Sequence, residues 1–337
     1  MKILITGGAG YIGGTVAAAV AEQGHEPVIF DNFSHGRRDL LPAGISFIQG
    51  ELGDGRALKE IFSAARHRER PFDGVLHFAA LIEAGESMVR PEAFFRNNTA
   101  STLSLLEAML ECGPRSLVFS STAAVYGEPE SVPIKEDARL LPTNAYGESK
   151  LLVEQMLAWL NRIHGLRYAS LRYFNVAGAP ETAAGVLRGE AHEPETHLIP
   201  LVLDVALGRR GAIRIYGEDY PTPDGTCIRD YIHVSDLADA HLLALEALNA
   251  ASAANNRLVF NLGNGQGFSV RQVIESARRV TGHPIPAEVH PRRSGDPAVL
   301  VASSAKAIRE LGWKPRYTDL DEIIRTAWVW HRKRYHA

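Results

Sequence analysis

The sequence predicts an α/β fold in which a doubly wound parallel sheet is followed by a smaller α/β C-terminal lobe. Through residue 175, short apolar runs alternate with longer segments of helical period. A glycine-rich segment follows the first apolar run directly, as in the first strand–helix unit of such sheets. Beyond residue 175 the alternation gives way to Pro- and Gly-rich loops between helices, which indicates a separate lobe.

Six apolar runs are predicted as the strands of the larger domain. In chain order they are KILIT, PVIF, ISFIQ, GVLHFAA, SLVFSS and YASLRYF. Segments of helical period lie between most of them, at 12–23, 55–66, 91–111 and 144–164. Because a strand, a helix and the next strand form a right-handed crossover, we expect these strands to run parallel.

The C-terminal part is predicted to contribute further helices near 196–208, 235–249, 269–281, 303–311 and 319–334. We expect residues 1–175 to form the larger domain, and residues 176–337 to form a lobe that packs over the carboxyl ends of the strands. The segment 230–265 is expected to return to the larger domain, because a helical pattern there is followed by the strand-like run LVFNLG. The boundary between the domains is then discontinuous.

The bulk composition points to a small-molecule partner. The formal net charge is −3, too balanced to favour the capture of nucleic acid or of an anionic membrane surface. No run of about 18 apolar residues predicts a membrane span, and glycines from Gly7 to Gly14 interrupt any signal-peptide core. Cys112 and Cys227 lie far apart without a zinc or redox spacing, which favours a cytoplasmic location.

The segment KILITGGAGYIG predicts a Rossmann-type dinucleotide site. Gly7, Gly10 and Gly13 stand between a strand and a helix with the spacing GxxGxxG. Glycines allow a tight turn and a close approach to a pyrophosphate, which binds to the N–H groups at the helix start. A glycine-rich loop alone is often an ordinary turn, and the flanking strand and helix make the nucleotide interpretation stronger.

Asp31 ends the next predicted strand, 18 residues beyond Gly13. A carboxylate at this position would accept hydrogen bonds from the adenosine ribose diol. Because its negative charge repels a 2′-phosphate, the sequence favours NAD over NADP. The alternative is a plain turn aspartate before the residues NFS.

Tyr146 and Lys150 are four residues apart on the predicted helix 144–164, so their side chains share one face. A tyrosine titrates near pH 10, so a role as base near pH 7 requires about 4 kcal/mol of selective phenolate stabilisation. A lysine ammonium and an oxidised nicotinamide can supply that field. YxxxK by itself is usually a solvated helix face, and the nucleotide motif in the same chain favours the catalytic interpretation.

Thr122 follows the predicted strand SLVFSS and is expected at the carboxyl edge of the sheet, where ligands of doubly wound folds bind. Its hydroxyl would share a proton with a substrate oxygen and with Tyr146. A simple strand cap rich in Ser and Thr is the alternative that the local sequence leaves open.

These motifs occur together with HFAA, LRYFNVAGA, HLIP, DGTCIRDYIHVSDLADAH and RRSGDPA. In this order, the chain resembles the extended short-chain dehydrogenase/reductases and, within them, the UDP-glucose 4-epimerase family. The resemblance extends from Lys2 to the region of Trp313. It implies a homodimer that pairs through helices 91–111 and 144–164, whose apolar surface exceeds the need of one sheet face.

The resemblance implies reversible NAD-dependent 4-epimerisation of a UDP-hexose, UDP-glucose or UDP-galactose, through a 4-keto intermediate. Tyr146 would be the base, Lys150 would lower the pKa of Tyr146 and bind the nicotinamide ribose, and Thr122 would hold the reacting oxygen. The residues that would contact UDP-sugar are Thr122, Tyr146, Asn175, His197, Leu198, Arg229 and Arg293. The residues that would contact NAD are Gly7, Gly10, Tyr11, Ile12, Gly13, Asp31, Asn32, Ser34, Glu51, Leu52, Phe78, Ala79, Ala80, Asn98, Tyr146, Lys150, Tyr173 and Phe174.

Four positions qualify this expectation. Glu51 replaces an aspartate that is usual in the family, Ile82 a lysine found in some members, and His197 an asparagine. Val299 falls near a position that is a large tyrosine in some members and a small residue in others. A small side chain there leaves room for a 2-acetamido group, which predicts that UDP-GlcNAc is also accepted.

Other activities remain open at this stage. The 4-epimerases of UDP-GlcNAc, UDP-xylose or UDP-glucuronate differ from this family around the sugar pocket, which sequence separates poorly. A 4,6-dehydratase is disfavoured, because Ala123 and Ala124 supply no acid or base beside Thr122. A non-catalytic NAD-sensing protein would have no need of both Tyr146 and Lys150.

The segment HEPETH, His192 to His197, superficially resembles a zinc HExxH motif. Its histidines are five residues apart, and Pro194 would break the helix that this motif requires. The sequence therefore predicts no metal site.

Overall fold

A seven-stranded sheet forms the larger part of the computed structural model, which describes residues 1–180, 187–250, 256–293 and 295–336. In chain order the strands are β1 Lys2–Thr6, β2 Glu26–Asp31, β3 Ser46–Gln49, β4 Gly74–His77, β5 Ser116–Thr122, β6 Arg167–Tyr173, β7 Asn175–Ala177, β8 Ile213–Tyr216, β9 Ile228–His233, β10 Arg257–Leu262, β11 Gly267–Ser269, β12 Ala287–His290 and β13 Val299–Leu300. The large sheet has the order β10-β6-β5-β4-β1-β2-β3, and every pair in it is parallel.

Helices cover both faces of this sheet and build the second lobe. In chain order they are α1 Tyr11–Glu22, α2 Gly55–His67, α3 Ala84–Ser87, α4 Pro91–Phe94, α5 Ser101–Cys112, α6 Ala145–His164, α7 Leu198–Ala206, α8 Val234–Ala250, α9 Val270–Thr281, α10 Ala305–Leu311 and α11 Leu320–His336. A π-helical segment, Phe95–Ala100, joins α4 to α5. Among the described residues, no helix has both the length and the apolar character needed to cross a bilayer.

Alternating side chains of β1 show why the sheet is covered on both sides. Ile3 and Ile5 pack into one core with α1 and α8. Leu4, between them, packs into the opposite core with α2, α5 and α6. All three side chains are fully buried. A strand that is apolar on both faces is typical of a parallel sheet between two helical layers, so the predicted doubly wound fold is confirmed.

The strand order reverses between β1 and β4, because β2 and β3 lie on one side of β1 while β4, β5 and β6 lie on the other. Loops that leave the carboxyl ends of β1 and β4 therefore diverge, and a crevice opens between them. This crevice is the place where a doubly wound sheet binds its ligand.

The smaller lobe contains two short sheets. Strand β9 lies between β11 and β13 and also pairs with β7, while β8 pairs with β12. Helices α7, α9 and α11 share one apolar core with these strands. Within the segment 230–265, α8 and β10 pack on the large sheet, whereas β9 belongs to the small one. An apolar run alone does not specify which sheet a strand joins.

Candidate active site

The loop after β1 is shaped by glycines that no other residue can replace. Gly7 has a φ of +72°, and a Cβ on it would lie 2.5 Å from the backbone nitrogen of Ala79. A Cβ on Gly13 would lie 2.3 Å from the carbonyl oxygen of Gly7. Gly10 precedes α1 without a side-chain cap, so the first N–H groups of this helix point to the crevice side without a side-chain acceptor. The loop can therefore hold an anionic group at the helix N-terminus.

Asp31 lies at the carboxyl end of β2 and is 8% exposed. One carboxylate oxygen accepts the N–H of Ala9 at 2.9 Å, and the other accepts the N–H of Phe33 at 2.7 Å. The residue thus also closes the turn that follows its strand. Each oxygen keeps a second lone pair, so the carboxylate can still accept the two hydroxyls of a ribose.

One cleft runs from the glycine loop across the carboxyl ends of β1, β2 and β4. Most of the residues predicted to contact the cofactor line it: Gly7, Gly10, Tyr11, Ile12, Gly13, Asp31, Asn32, Ser34, Glu51, Leu52, Phe78, Ala79, Ala80 and Tyr173. Leu81, Glu83, Asn97 and His192 also line it and were not predicted. Leu81 and Glu83 could have been found, because they directly follow HFAA at the end of β4, but His192 comes from the other lobe.

Asn98 and Phe174 support the cleft from behind. The side-chain amide of Asn98 accepts the N–H of Leu81 at 2.8 Å and donates to the carbonyl of Leu81 at 2.9 Å. It also donates to the hydroxyl of Ser149 at 3.0 Å, so its hydrogen bonds hold the cleft loop to α6. Phe174 packs in a separate apolar cluster with Tyr126. Neither side chain lines the cleft, and their contact with the cofactor stays a prediction.

Tyr146 and Thr122 meet where β5 ends and α6 begins. The side chain of Asn144 caps α6 by accepting the N–H of Gly147 at 2.8 Å, which fixes the first turn that carries Tyr146. The pKa of Tyr146 is raised to about 12, because burial and the charge of Glu83, which raise it, outweigh a hydrogen bond with the hydroxyl of Thr122, which lowers it. Thr122 lies opposite Tyr173 of β6, and Tyr173 lines the cleft, so the pair of Thr122 and Tyr146 lies beside the cofactor residues.

Lys150 lies one helical turn beyond Tyr146 and is 3% exposed. Its ammonium donates to the carbonyl of Ser120 at 3.0 Å and lies 5.0 Å from the centre of the Phe119 ring. Burial lowers the pKa of Lys150 to about 7. One of three N–H groups is thus committed to β5, and two remain for a phenolate or a ribose hydroxyl.

A second layer of side chains lies below this pair. His241 Nδ1 is 2.8 Å from the carbonyl of Leu237, which requires an Nδ1–H donor and leaves Nε2 as an acceptor. The hydroxyl of Ser120 lies 3.4 Å from that Nε2. The imidazole also packs against the Phe78 ring, with the ring centres 4.6 Å apart. Burial lowers the pKa of His241 to about 4, so it is neutral at physiological pH.

Strand pairing in the second lobe brings three of the named positions to one small sheet. Asn175 begins β7 and lies opposite Tyr231 of β9. Arg229 of β9 lies opposite Leu300 of β13, the strand that starts at Val299. The separate segments LRYFNVAGA, RDYIHVSDLADAH and AVLV therefore meet side by side.

Two arginines converge near Cys227. A guanidinium nitrogen of Arg229 lies 3.6 Å from a carboxylate oxygen of Asp296, and the Arg293 guanidinium lies 4.0 Å from the centre of the Tyr216 ring. Burial raises the pKa of the Cys227 thiol, and the charges of both arginines lower it. Both guanidinium groups therefore lie near enough to Cys227 to affect its charge, and such groups can bind a diphosphate.

His197 precedes α7, and Leu198 is the first residue of that helix. The His197 Nδ1 lies 2.7 Å from a carboxylate oxygen of Glu190 and 2.9 Å from one of Glu195. Burial alone would lower the pKa of His197, but the two carboxylates outweigh it and raise the pKa well above its ordinary value. The two carboxylates thus favour the protonated form of His197. No helix forms over 191–197, in agreement with the effect expected of Pro194.

The chain is similar to known proteins over nearly its whole length. The model of the NAD dependent epimerase/dehydratase family matches residues 3–263. The UDP-glucose 4-epimerase of Streptomyces lividans is 54% identical over 330 residues, which cover 98% of this chain and 96% of that protein. The UDP-glucose 4-epimerase of Corynebacterium glutamicum is 52% identical, covering 98% of this chain and 95% of the other.

The chain is also similar to solved structures of UDP-glucose 4-epimerases. A crystal structure of a UDP-glucose 4-epimerase is 48% identical and superposes with a TM-score of 0.92, covering 99% of this chain and 98% of the other. The UDP-glucose 4-epimerase from Brucella ovis in complex with NAD is 44% identical, with a TM-score of 0.91 and 98% of each chain covered.

Proposed function

The chain belongs to the NAD dependent epimerase/dehydratase family, and from this premise we propose that it interconverts UDP-glucose and UDP-galactose by NAD-dependent 4-epimerisation. The observation that carries the proposal is the meeting of Tyr146 and Thr122, with Lys150 one turn away, beside a dinucleotide cleft. Relatives that are about half identical over nearly the whole chain are UDP-glucose 4-epimerases. Such an enzyme serves galactose metabolism.

The residues of the cleft fit NAD. The glycine loop leaves no room for a Cβ where a pyrophosphate would approach, and Asp31 offers free lone pairs to a ribose while repelling a 2′-phosphate. Bound NAD⁺ supplies the acceptor that takes and returns the hydrogen at C4 of the sugar, and it adds a positive charge near Tyr146. The chain itself must bind the nucleotide, orient the sugar and move one proton.

Tyr146 moves that proton between its own oxygen and the 4-hydroxyl of the sugar. Its pKa of about 12 means that a phenolate near pH 7 needs about 7 kcal/mol of further stabilisation, at roughly 1.4 kcal/mol per unit. A unit charge at about 4 Å contributes about 4 kcal/mol at an effective dielectric constant of about 20. The Lys150 ammonium and a positively charged nicotinamide would together supply stabilisation of this order.

Thr122 and Lys150 complete the proton path. The Thr122 hydroxyl is hydrogen-bonded to the Tyr146 hydroxyl, so it can hold the substrate oxygen in line with the phenol. Lys150 stays fixed to the carbonyl of Ser120 and directs its remaining N–H groups towards Tyr146 and the nicotinamide ribose. The proton of the 4-hydroxyl and the hydride of C4 would both return to the sugar at the end, so the reaction would be redox-neutral.

The second lobe is proposed to hold uridine diphosphate through Asn175, His197, Leu198, Arg229 and Arg293. Three of these groups are cationic, and Arg229 and Arg293 act on the same small region. A bound diphosphate would replace Asp296 as the partner of Arg229. An anchored nucleotide leaves the sugar free to turn over between the two hydrogen transfers.

UDP-GlcNAc is proposed as a second substrate. Val299 is half-buried on β13, directly before the residue that pairs with Arg229, and its side chain is much smaller than a tyrosine. A UDP-Glc/GlcNAc 4-epimerase from Campylobacter jejuni is 38% identical to this chain and superposes with a TM-score of 0.84. Space beside the bound sugar would admit the acetamido group.

We propose that the protein is a cytoplasmic homodimer. Trp159 and Ile163 of α6 are 59% and 64% exposed, and they lie one turn apart on one face. Leu103 of α5 is also exposed. A four-helix contact between two copies would cover these side chains. Both cysteines are unpaired thiols, which suits a reducing compartment.

Incubation of the purified protein with UDP-glucose, UDP-galactose, UDP-xylose or UDP-GlcNAc, without added cofactor, tests the function. Formation of 4-epimers by protein that carries NAD is the expected result. Net accumulation of NADH would indicate a dehydrogenase, and absence of product from every sugar would favour the NAD-sensing protein. A 4,6-dehydratase product would require an acid and base that Ala123 and Ala124 do not provide.

A further inference from the structure

A cluster of four ionisable side chains lies where the two lobes meet. It consists of Glu190, His192, Glu195 and His197, which all come from one non-helical loop before α7. One carboxylate oxygen from each glutamate and the Nδ1 of each histidine lie within 4.8 Å of one another. Three of the contacts are between 2.7 and 3.1 Å. These contacts link the four side chains in the order His192, Glu190, His197 and Glu195.

The surrounding structure fixes this cluster in place. The carbonyl of Glu190 accepts the indole N–H of Trp330 of α11 at 2.9 Å. The carboxylate of Glu195 accepts the backbone N–H groups of Thr196 and His197, both at 2.8 Å. The side chains of Glu190 and Glu195 are only 8% and 13% exposed. All of these Glu195 contacts end on Oε1, so a metal ion would have to displace one of them or bind the other carboxylate oxygen.

Two imidazole nitrogens and two carboxylate oxygens are the donor set that zinc and similar divalent ions prefer. In a tetrahedral site with bonds of about 2.0–2.1 Å, the ligand atoms lie about 3.3 Å apart. The three pairs of atoms that are 2.7–3.1 Å apart would have to separate by a few tenths of an ångström. The other pairs, which are up to 4.8 Å apart, would have to approach one another. Both changes are within the reach of side-chain rotation.

We propose that Glu190, His192, Glu195 and His197 form a binding site for one divalent transition-metal ion, of which Zn²⁺ is the best match. Without metal, the two imidazoles donate to the glutamates through Nδ1–H, and metal binding replaces these protons. An HExxH site requires a helix, which Pro194 prevents here. The loop brings the four side chains together without a helix. A metal ion and a diphosphate would compete for the His197 side chain.

Zinc titration of the NAD-containing protein tests the proposal. After treatment with a chelator, the protein is titrated with Zn²⁺ alone at pH 8 in a calorimeter. The expected result is one ion bound per chain with low micromolar affinity or better. Co²⁺ in place of Zn²⁺ should give the strong visible absorption of a four-coordinate site. Both readouts are independent of epimerase activity, so they stand apart from the proposed function.

Two variants and a control locate the site. His192→Ala and Glu190→Gln should each weaken Zn²⁺ binding by about tenfold or more. His290→Ala removes a histidine that also lies beside a glutamate, Glu288 at 3.6 Å, and should leave binding unchanged. Circular dichroism confirms that each variant is folded. Absence of stoichiometric binding to the wild type, or equal binding by His192→Ala and His290→Ala, would overturn the proposal.

Discussion

Tyr146 depends on its partners for its chemistry, since its own surroundings hold its pKa at about 12. Tyr146→Phe removes the proton-transferring oxygen and keeps the ring that packs against Phe94 at 6.5 Å. We expect this variant to retain NAD and to lose turnover of UDP-galactose by a factor of about 10² to 10⁴. Steady-state kinetics and the absorbance of released cofactor measure the two effects.

Tyr168→Phe is the matched control for that loss. Tyr168 is a buried tyrosine of β6 that packs in the core below α2 and α5, away from the cleft. Its removal should leave turnover close to that of the wild type. If Tyr146→Phe also kept near-normal activity, another group would have to be the base.

Lys150 gives the cofactor-free protein a pH-dependent stability. Its pKa is about 7 in the folded chain because burial disfavours the charge, whereas an unfolded lysine titrates near about 10.4. Between these values the unfolded chain binds more protons, so the free energy of unfolding rises as pH rises from about 7 towards about 10. Urea denaturation of cofactor-stripped protein measures this rise.

Lys150→Met isolates the effect, since it keeps an apolar stem and removes the titration. The difference in free energy of unfolding, wild type minus variant, should grow over the same pH range. A difference that stays level or shrinks would mean that the ammonium is better stabilised in the folded chain than its burial implies.

The Val299 side chain is expected to decide whether an acetamido group fits. Val299→Tyr should reduce kcat/KM for UDP-GlcNAc by at least about tenfold and should change that for UDP-glucose much less. Val289→Tyr, at an exposed position of β12, is the control and should affect neither sugar. Equal losses for both sugars would show that the position does not act on C2.

At the scale of single residues, sequence is most informative where spacing alone sets geometry. Tyr146 and Lys150 share a helix face because they are four positions apart, and Gly7 is required by a backbone approach within its own motif. His241 and Ser120 are 121 positions apart, and no local pattern indicates their contact. The hydrogen bonds of Asn98 with Leu81 and Ser149 also join distant positions, so local sequence does not predict them.

Helix α6 is held to the sheet by a buried ion pair. Glu154, one turn beyond Lys150, contacts Arg172 of β6 at 2.6 Å and accepts the hydroxyl of Ser121 at 2.5 Å. Glu154 and Arg172 are 7% and 4% exposed. Glu154→Gln would leave a buried guanidinium without its counterion, and we expect a loss of about 3–5 kcal/mol in the free energy of unfolding.

An exposed pair on another helix provides the comparison. Glu60→Gln breaks the contact with Arg56, whose atoms lie 3.0 Å apart on the surface of α2. This loss should be within about 0.5 kcal/mol, because water screens the pair. Denaturant titration of both variants measures the contrast. Similar losses from the two substitutions would contradict the role assigned to burial.

At the scale of elements, the six predicted strands agree closely with β1 to β6. Burial over most of their length favours apolar residues in β1, β2, β4, β5 and β6, whereas β3 lies at the edge of the sheet and is mostly exposed. The predicted helix 91–111 is crossed by the π-helical segment Phe95–Ala100, which changes hydrogen bonding without a compositional signal. The segment 230–265 is expected to return to the larger domain, but its first strand, β9, pairs in the small sheet. An apolar run does not reveal which strands will be its neighbours.

The assembly of two copies is the property of the whole molecule that is most open to test. Trp159→Glu combined with Ile163→Glu puts charges on the exposed face of α6 and should give monomers at micromolar concentration. Sedimentation velocity measures the mass of this variant and of the wild type. Val289→Glu, on β12, should remain dimeric. A monomeric wild type would contradict the proposed dimer.

The path of the chain between the lobes limits how the protein can be divided. After β9 completes the small sheet, the chain returns through α8 and β10 and then leaves again for β11. A gene fragment that ends at residue 175 would therefore encode a sheet with a bare β6 edge and an uncovered apolar face. Expression of either half alone is unsuited to this protein, because the large sheet is complete only at β10, after β7, β8 and β9 of the second lobe have been synthesised.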